Sequence, residues 1–184
     1  MRKNFGAKPF LYPQLVMAIA SYGKDGTPDA MNAAWGGVAG GDKIFLCLSS
    51  NHKTVENILE RKAFTVSVAD EAHLVEADYV GLVSGNEVPD KLERSGFHVT
   101  RSEFVDAPVI DELPLVLECR LVSYDPDSHF MLGQIVNAGA DEAILDEAGM
   151  IDPAKLKPLT FDPANGTYWS LGEKMGKAFS DGSQ

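Results

Sequence analysis

The chain has 184 residues, of which 45% are hydrophobic, 9% aromatic and 23% charged, as in ordinary soluble globular domains. These fractions exclude long disorder, collagen and coiled coil, and a chain of this length can bury one sizeable core, so we expect a single domain over residues 1–184. Its 16 Lys and Arg against 27 Asp and Glu give a net charge of −11. Such a protein repels phosphate backbones and anionic lipid, so we expect neither nucleic acid nor a membrane as partner.

The first residues and the cysteines bear on location and on metal binding. The segment MRKNFGAKPFLYPQ lacks the apolar stretch of a signal peptide, and no window of the chain approaches the ~20 apolar residues of a membrane-spanning helix. Cys47 and Cys119 each lie inside an apolar run, which favours buried, reduced thiols. With no CxxC motif and no His pair at ligand spacing, we expect no metal. The sequence therefore predicts a cytoplasmic protein.

Short apolar runs bounded by turn residues predict strands along most of the chain. Asp25-Gly26 lies between the first two runs and predicts a hairpin. A second antiparallel pair is predicted around the turn DPDS. The predicted strands are residues 15–22, 29–35, 43–49, 63–69, 115–124 and 130–138.

Helical signals are fewer and shorter. Residues 53–61 place three apolar side chains on one face, and residues 73–82 and 172–178 are weaker candidates. Many strands with few helices favour a mainly β fold over a doubly wound sheet. We therefore predict a six-stranded, Greek-key, antiparallel barrel.

Residues 29–41, DAMNAAWGGVAGG, combine a strand, small residues, an aromatic and two Gly-Gly pairs. Small residues allow close approach of a planar ligand to the backbone. The segment lacks G-K-[ST] and the strand-to-helix context of a dinucleotide loop. A glycine-rich bend at a barrel corner explains the same residues without a ligand.

Residues 48–57, LSSNHKTVEN, predict a strand end followed by a helix start. Free N–H groups at a helix N-terminus bind anions, and here a lysine and several hydroxyls accompany them. This chemistry suits a phosphomonoester. An ordinary N-cap with a solvated lysine is the alternative interpretation.

No sequence pattern identifies a catalytic residue. The chain has no G-x-S-x-G motif and no arrangement that supports a Ser-His hydrolase. His129, in or next to the turn of residues 125–130, is the one histidine that we single out as able to face a ligand.

Several stretches, taken together, resemble the flavin reductase-like family in its flavoredoxin-like branch. The resemblance runs in order along nearly the whole chain and is carried by MNAAWGG at 31–37, LSSNHKTVENI at 48–58, KAFTVSVA at 62–69, ADYVGLVSG at 77–85, EFVDAPVIDELPLVLEC at 103–119 and LGEKMGKAFSDG at 171–182. It implies the FMN-binding split-barrel fold. It also implies one non-covalent FMN per subunit, bound near the interface of a homodimer.

The resemblance also implies site residues. In the family pattern, main-chain atoms border the flavin ring at Asn32, Ala33, Ala34 and Trp35. The phosphate is held at Ser49, Ser50, Asn51, His52, Lys53 and Thr54, with Lys53 as its cation. The family's S-G-x-x-x-D-K segment places Ser84, Gly85 and Lys91 in the same pocket, although here Pro89 precedes Asp90 and a leucine follows Lys91.

His129 falls where related flavin reductases have a histidine beside the nicotinamide. In those proteins the histidine ends a G-D-H sequence, whereas here the three residues are Asp127, Ser128 and His129. The implied function is a flavin reductase or a flavoredoxin-type electron carrier, with NADH, NADPH or a redox partner protein as donor. Since a flavin carries out its own electron transfer, the lack of a catalytic triad agrees with this hypothesis. The alternative is a non-catalytic split-barrel protein that binds haem or another nucleotide; a pure dimerising scaffold rests on the fold alone.

Overall fold

The computed structural model describes residues 1–183, which form a mainly β fold. The strands are β1 (Gln14–Leu15), β2 (Met17–Tyr22), β3 (Pro28–Ala33), β4 (Gly36–Val38), β5 (Lys43–Cys47), β6 (Ala63–Val68), β7 (Val99–Arg101), β8 (Pro108–Ile110), β9 (Leu115–Asp125), β10 (Phe130–Ala140), β11 (Leu159–Asp162) and β12 (Thr167–Ser170). The α-helices are α1 (Lys53–Arg61), α2 (Leu74–Leu82), α3 (Lys91–Ser95) and α4 (Pro153–Leu156). Within residues 1–183, no helix is long and apolar enough to span a bilayer.

The main sheet has seven antiparallel strands in the order β3-β2-β6-β9-β10-β5-β4. Its two edge strands, β3 and β4, are separated in the chain by only Ala34 and Trp35, so the sheet must curl until its edges meet. The contact is tight, because a Cβ added to Gly36 on β4 would lie 2.8 Å from Met17 Cε on β2. A second sheet, β1-β11-β12, and the hairpin β7-β8 lie outside the curled one.

Strand β2 is buried on both of its faces, and its side chains alternate in size. Met17 and Ile19 point into the curled sheet and belong to the core cluster that also holds buried side chains of α1, β6 and β10. Ala18 and Ala20 point to the other face, into a second cluster with Val80 of α2. Small side chains on that face let a helix pack close to the sheet, and the cavity described below lies beside this contact.

The predicted mainly β fold, an antiparallel barrel with few short helices, is confirmed. Six of its strands match those predicted, with ends shifted by up to two residues, and the short β4 adds a seventh. Both predicted hairpins pair antiparallel, and Gly26 in the first turn has a left-handed φ of +87°. The predicted helix over residues 53–61 coincides with α1, and α2 covers residues 74–82 of the second.

The third predicted helix, over residues 172–178, is wrong. Residues 171–177 have no regular secondary structure. Two glycines fall within the segment, and Leu171 and Met175 are exposed, so no core contact offsets the low helical propensity.

We expect Gly133→Ala to destabilise the protein by about 1–3 kcal/mol through overpacking of the core. Gly133 lies on β10, where an added Cβ would come within 2.4 Å of Cζ of the fully buried Phe64. Gly41→Ala is the matched control, because no atom of residues 1–183 lies within 4 Å of its added Cβ. Urea unfolding of both variants measures the difference, and equal midpoints would contradict this account of the packing.

Candidate functional site

A cavity of about 750 Å³ opens where the end of β3, the start of α1, the end of α2 and the β11-β12 hairpin come together. Its size is typical of small-molecule and cofactor sites. Of the residues predicted for the site, those that line it are Asn32, Ala33, Ala34, Trp35, Asn51, His52, Lys53, Thr54, Ser84, Gly85 and Lys91. Ser49 and Ser50 lie outside its lining, in the turn that precedes α1.

The start of α1 faces the cavity without a side-chain cap. His52, at the N-cap position, makes no side-chain capping bond, and its carbonyl accepts the N–H groups of Val55 and Glu56. Within residues 1–183, the backbone N–H groups of Lys53 and Thr54 have no acceptor. Two free donors at the positive end of a helix suit a phosphate group.

Lys53 supplies a positive charge at the same place. Its side chain is 30% exposed, and its ammonium group lies 3.0 Å from the carboxylate of Glu56, one turn along α1. An exposed ion pair of this kind is weak, so an anion in the cavity can compete for the lysine.

The backbone that joins β3 to β4 forms another wall. Ala34 and Trp35 lie outside the sheet ladder, and their N–H groups have no acceptor within the described part of the chain. The Trp35 carbonyl accepts from Cys47 N at 2.8 Å, which fixes this link against β5. The two free N–H groups and small side chains offer a polar edge to a flat ligand.

A polar cluster at the far side of the cavity joins β3, α2 and β12. The Tyr168 hydroxyl donates to Asp78 Oδ1 at 2.6 Å. Burial, and then this hydrogen bond, raise the pKa of Tyr168 to about 12, so its phenol is neutral at pH 7. The Asn32 amide lies against the backbone of α2 at Gly81, where an added Cβ would be 2.0 Å from Asn32 Oδ1.

A buried ion pair lies beneath the start of α1. Asp29 Oδ2 accepts the Thr54 hydroxyl at 2.5 Å, and Asp29 Oδ1 lies 3.3 Å from the Lys91 ammonium. The Thr54 hydroxyl proton is therefore directed to Asp29 and away from the cavity, which leaves the Thr54 backbone N–H as its donor to a ligand. Gly85 packs against the same carboxylate, since its added Cβ would lie 2.3 Å from Asp29 Oδ1.

His129 does not line the cavity. Its backbone is left-handed, with φ of +60°, and its carbonyl accepts from Leu48 N at 2.9 Å, next to the turn that leads into α1. Its Nδ1 atom is buried and has no hydrogen-bond partner among residues 1–183. No group of His, Cys, Asp and Glu within that range is arranged to hold a metal ion.

The two cysteines differ, and the prediction that both are buried is wrong for one of them. Cys119 is buried in the core, and burial raises the pKa of its thiol to about 12. Cys47 is the last residue of β5, where it is exposed and lines the cavity.

Several residues of the C-terminal hairpin and of α2 line the cavity and are not among those predicted from the sequence. They include Asp78, Gly81, Phe161 and Tyr168. A signal for the hairpin is present, because Asn165-Gly166 between apolar runs is a strong hairpin pattern and Gly166 has a φ of +65°. Nothing local indicates that this hairpin folds back onto the cavity.

Known proteins share both the sequence pattern and the fold. The family model described as "Flavin reductase like domain" matches residues 10–165. The flavoredoxin of Desulfovibrio vulgaris (Miyazaki F) is 34% identical, with a TM-score of 0.94 over 99% of this chain and 100% of that chain. The flavoredoxin from Methanosarcina acetivorans is 28% identical, with a TM-score of 0.90 over 100% of this chain and 98% of that one.

A third structure shows the fold alone, because its identity is only 22%. It is the FMN-binding domain of a flavin reductases-like enzyme from Shewanella baltica OS155, with a TM-score of 0.79 over 89% of each chain. The fold that the sequence resemblance implies is therefore confirmed.

We expect the ring of His52 to protonate at lower pH than that of His98. Loss of water around His52 and then the Lys91 charge lower its pKa, whereas the hydrogen bond to Glu112 raises the pKa of His98. As pH falls through about 6.5, the ordinary histidine value, His98 should protonate before His52. An NMR titration of the ring resonances measures both, with His52→Gln and His98→Gln to assign them. The reverse order would contradict the described surroundings of His52.

Proposed function

The chain belongs to the flavin reductase-like family, and on that premise we propose that it is an FMN-binding oxidoreductase. It passes electrons from a reduced donor through bound FMN to free flavin, a partner protein or a small acceptor. The observation that carries the proposal is the uncapped start of α1, which turns two free N–H groups and Lys53 toward a cavity of cofactor size.

The residues of the cavity fit FMN in both charge and shape. The N–H groups of Lys53 and Thr54, with the Lys53 ammonium group, would hold the phosphate. The free N–H groups of Ala34 and Trp35 would meet the polar edge of the ring. Asn51 and Ser84 also line the cavity and are part of the proposed site.

The protein's own contribution is to bind and orient the cofactor. When bound, FMN supplies two-electron and one-electron chemistry by itself, so no nucleophile or acid-base pair is required. Asp78 accepts the hydrogen bond of the Tyr168 hydroxyl and so fixes the orientation of this phenol at the cavity wall.

The proposal also includes a homodimer with the cofactor near the subunit interface. Its support is the family and the exposed apolar side chains at and beyond the cavity, among them Trp35, Trp169, Leu171 and Met175. A second copy would bury these groups.

A net charge of −11 would steer a basic redox partner protein toward the molecule. The cytoplasmic location stays a prediction from the sequence.

We expect Lys53→Ala to weaken FMN binding by about 1–3 kcal/mol, through loss of a charge-assisted contact to phosphate. Quenching of FMN fluorescence during titration of the apoprotein measures the dissociation constant. Lys155→Ala, an exposed lysine on α4 outside the cavity, removes the same charge as a control and should leave it unchanged. Wild-type protein that binds no FMN, or binds haem instead, would overturn the proposed function.

We expect the electron donor to be a protein, because His129, the candidate nicotinamide neighbour, does not line the cavity. Anaerobic addition of NADH and then NADPH to the FMN-loaded protein should leave the flavin absorbance bands in place. Dithionite added afterwards should bleach them and so show that the flavin is reducible. Rapid bleaching by either nucleotide would instead identify a pyridine-nucleotide-dependent reductase.

A further inference from the structure

Lys91 is among the most deeply buried charged residues of the protein. Its side chain is 3% exposed and that of Asp29, its ion-pair partner, is 7% exposed. A charge in such surroundings is stable only when it is paired and hydrogen-bonded. Lys91 therefore has to find its partners inside the protein.

The three N–H donors of the Lys91 ammonium group have three acceptors within the protein. The group lies 3.2 Å from the Val80 carbonyl, 3.1 Å from the Val83 carbonyl and 3.3 Å from Asp29 Oδ1. The two carbonyls are at the C-terminal end of α2, where helices leave acceptors without partners. An ammonium group has three donors, so none is left for a ligand.

These contacts join the walls of the cavity. Lys91 at the start of α3 holds the end of α2, and through Asp29 it reaches β3. Asp29 in turn accepts the hydroxyl of Thr54 in the first turn of α1. One ion pair thus links four elements directly below the free N–H groups of α1.

The position of Asp29 makes its charge critical for an anionic ligand. Its carboxylate is bonded to Thr54, whose backbone N–H is one of the free donors. A buried negative charge so close to the site would repel a phosphate dianion, because the interior screens charge weakly. The Lys91 charge cancels it.

We propose that Lys91 is a positioning residue that neutralises Asp29 beneath the anion site, and that it does not itself contact the phosphate. The inference rests on the proposed function. It assigns direct phosphate binding to Lys53 and the start of α1, and to Lys91 the task of keeping that site free of a net negative charge.

The test is a double-mutant cycle on FMN affinity, with Lys91→Met, Asp29→Asn and the two combined. Methionine keeps most of the lysine stem, and asparagine can still accept the Thr54 hydroxyl. Fluorescence titration of each apoprotein with FMN gives the dissociation constant. Thermal melting and circular dichroism of the same samples report folding. Arg94→Met, in an exposed ion pair with Asp90 on the same α3 segment, makes the same charge change as a control.

We expect Lys91→Met alone to weaken FMN binding by about tenfold or more, because the Asp29 charge loses its partner. The double variant should return to within about threefold of wild type, and Arg94→Met should match wild type. If Lys91→Met does not fold, the comparison of the double variant with wild type still decides, because both leave no net charge below the site. Asp29→Asn alone should bind FMN at least as tightly as wild type, since the Lys91 charge then has no carboxylate to balance it.

A folded double variant that binds FMN at least tenfold more weakly than wild type would overturn the inference, because Lys91 would then contact the ligand itself. That result would leave the proposed function intact. Wild-type protein that fails to bind FMN would overturn the proposed function, and the inference with it.

Discussion

The closure of the main sheet depends on a short covalent link between its two edges. Ala34 and Trp35 are all that separates β3 from β4, and strands at opposite edges of a seven-stranded sheet can be joined by two residues only if the sheet curls. At that seam the ladder is interrupted, and the N–H groups of Ala34 and Trp35 have no acceptor in the described part of the chain. The same constraint that closes the barrel thus creates the polar wall of the cavity.

The electrostatics of the site differ from those of the whole molecule. With a net charge of −11, the protein repels anions at long range. Attraction at the start of α1 is local, and it acts over a few ångströms through backbone N–H groups and one lysine. This local field requires that the carboxylate beneath it be neutralised, and the buried Asp29–Lys91 pair meets that requirement. Global charge therefore says little about which small ligands the cavity accepts.

The sequence predicts the local elements of the fold well because their signals are local. The turn at Asp25-Gly26 and the apolar face of α1 depend on neighbouring residues alone, and both predictions agree with the structure. Tyr168 could not be assigned to the site, since its contact with Asp78 joins residues 90 positions apart. The exposure of Cys47 likewise could not be predicted, because it depends on how the other elements pack around the end of β5.

The role of individual residues was harder to predict than their location. Lys91 and Thr54 both line the cavity, as the family resemblance implies, yet their side-chain donors are directed into the protein. A motif gives the position of a lysine in the chain but not the number of acceptors around its ammonium group. Only the packed structure shows that β3, α1 and α2 converge on one ion pair.

The tight fit of two glycines against polar side chains has an evolutionary consequence. Gly81 leaves no room for a Cβ beside Asn32, and Gly85 leaves none beside Asp29. A lineage that enlarges either glycine must also shorten or reorient the polar side chain opposite it. The glycine and the polar residue opposite it are therefore expected to change together. Relatives with a different cavity wall should differ at both positions of a pair and not at one alone.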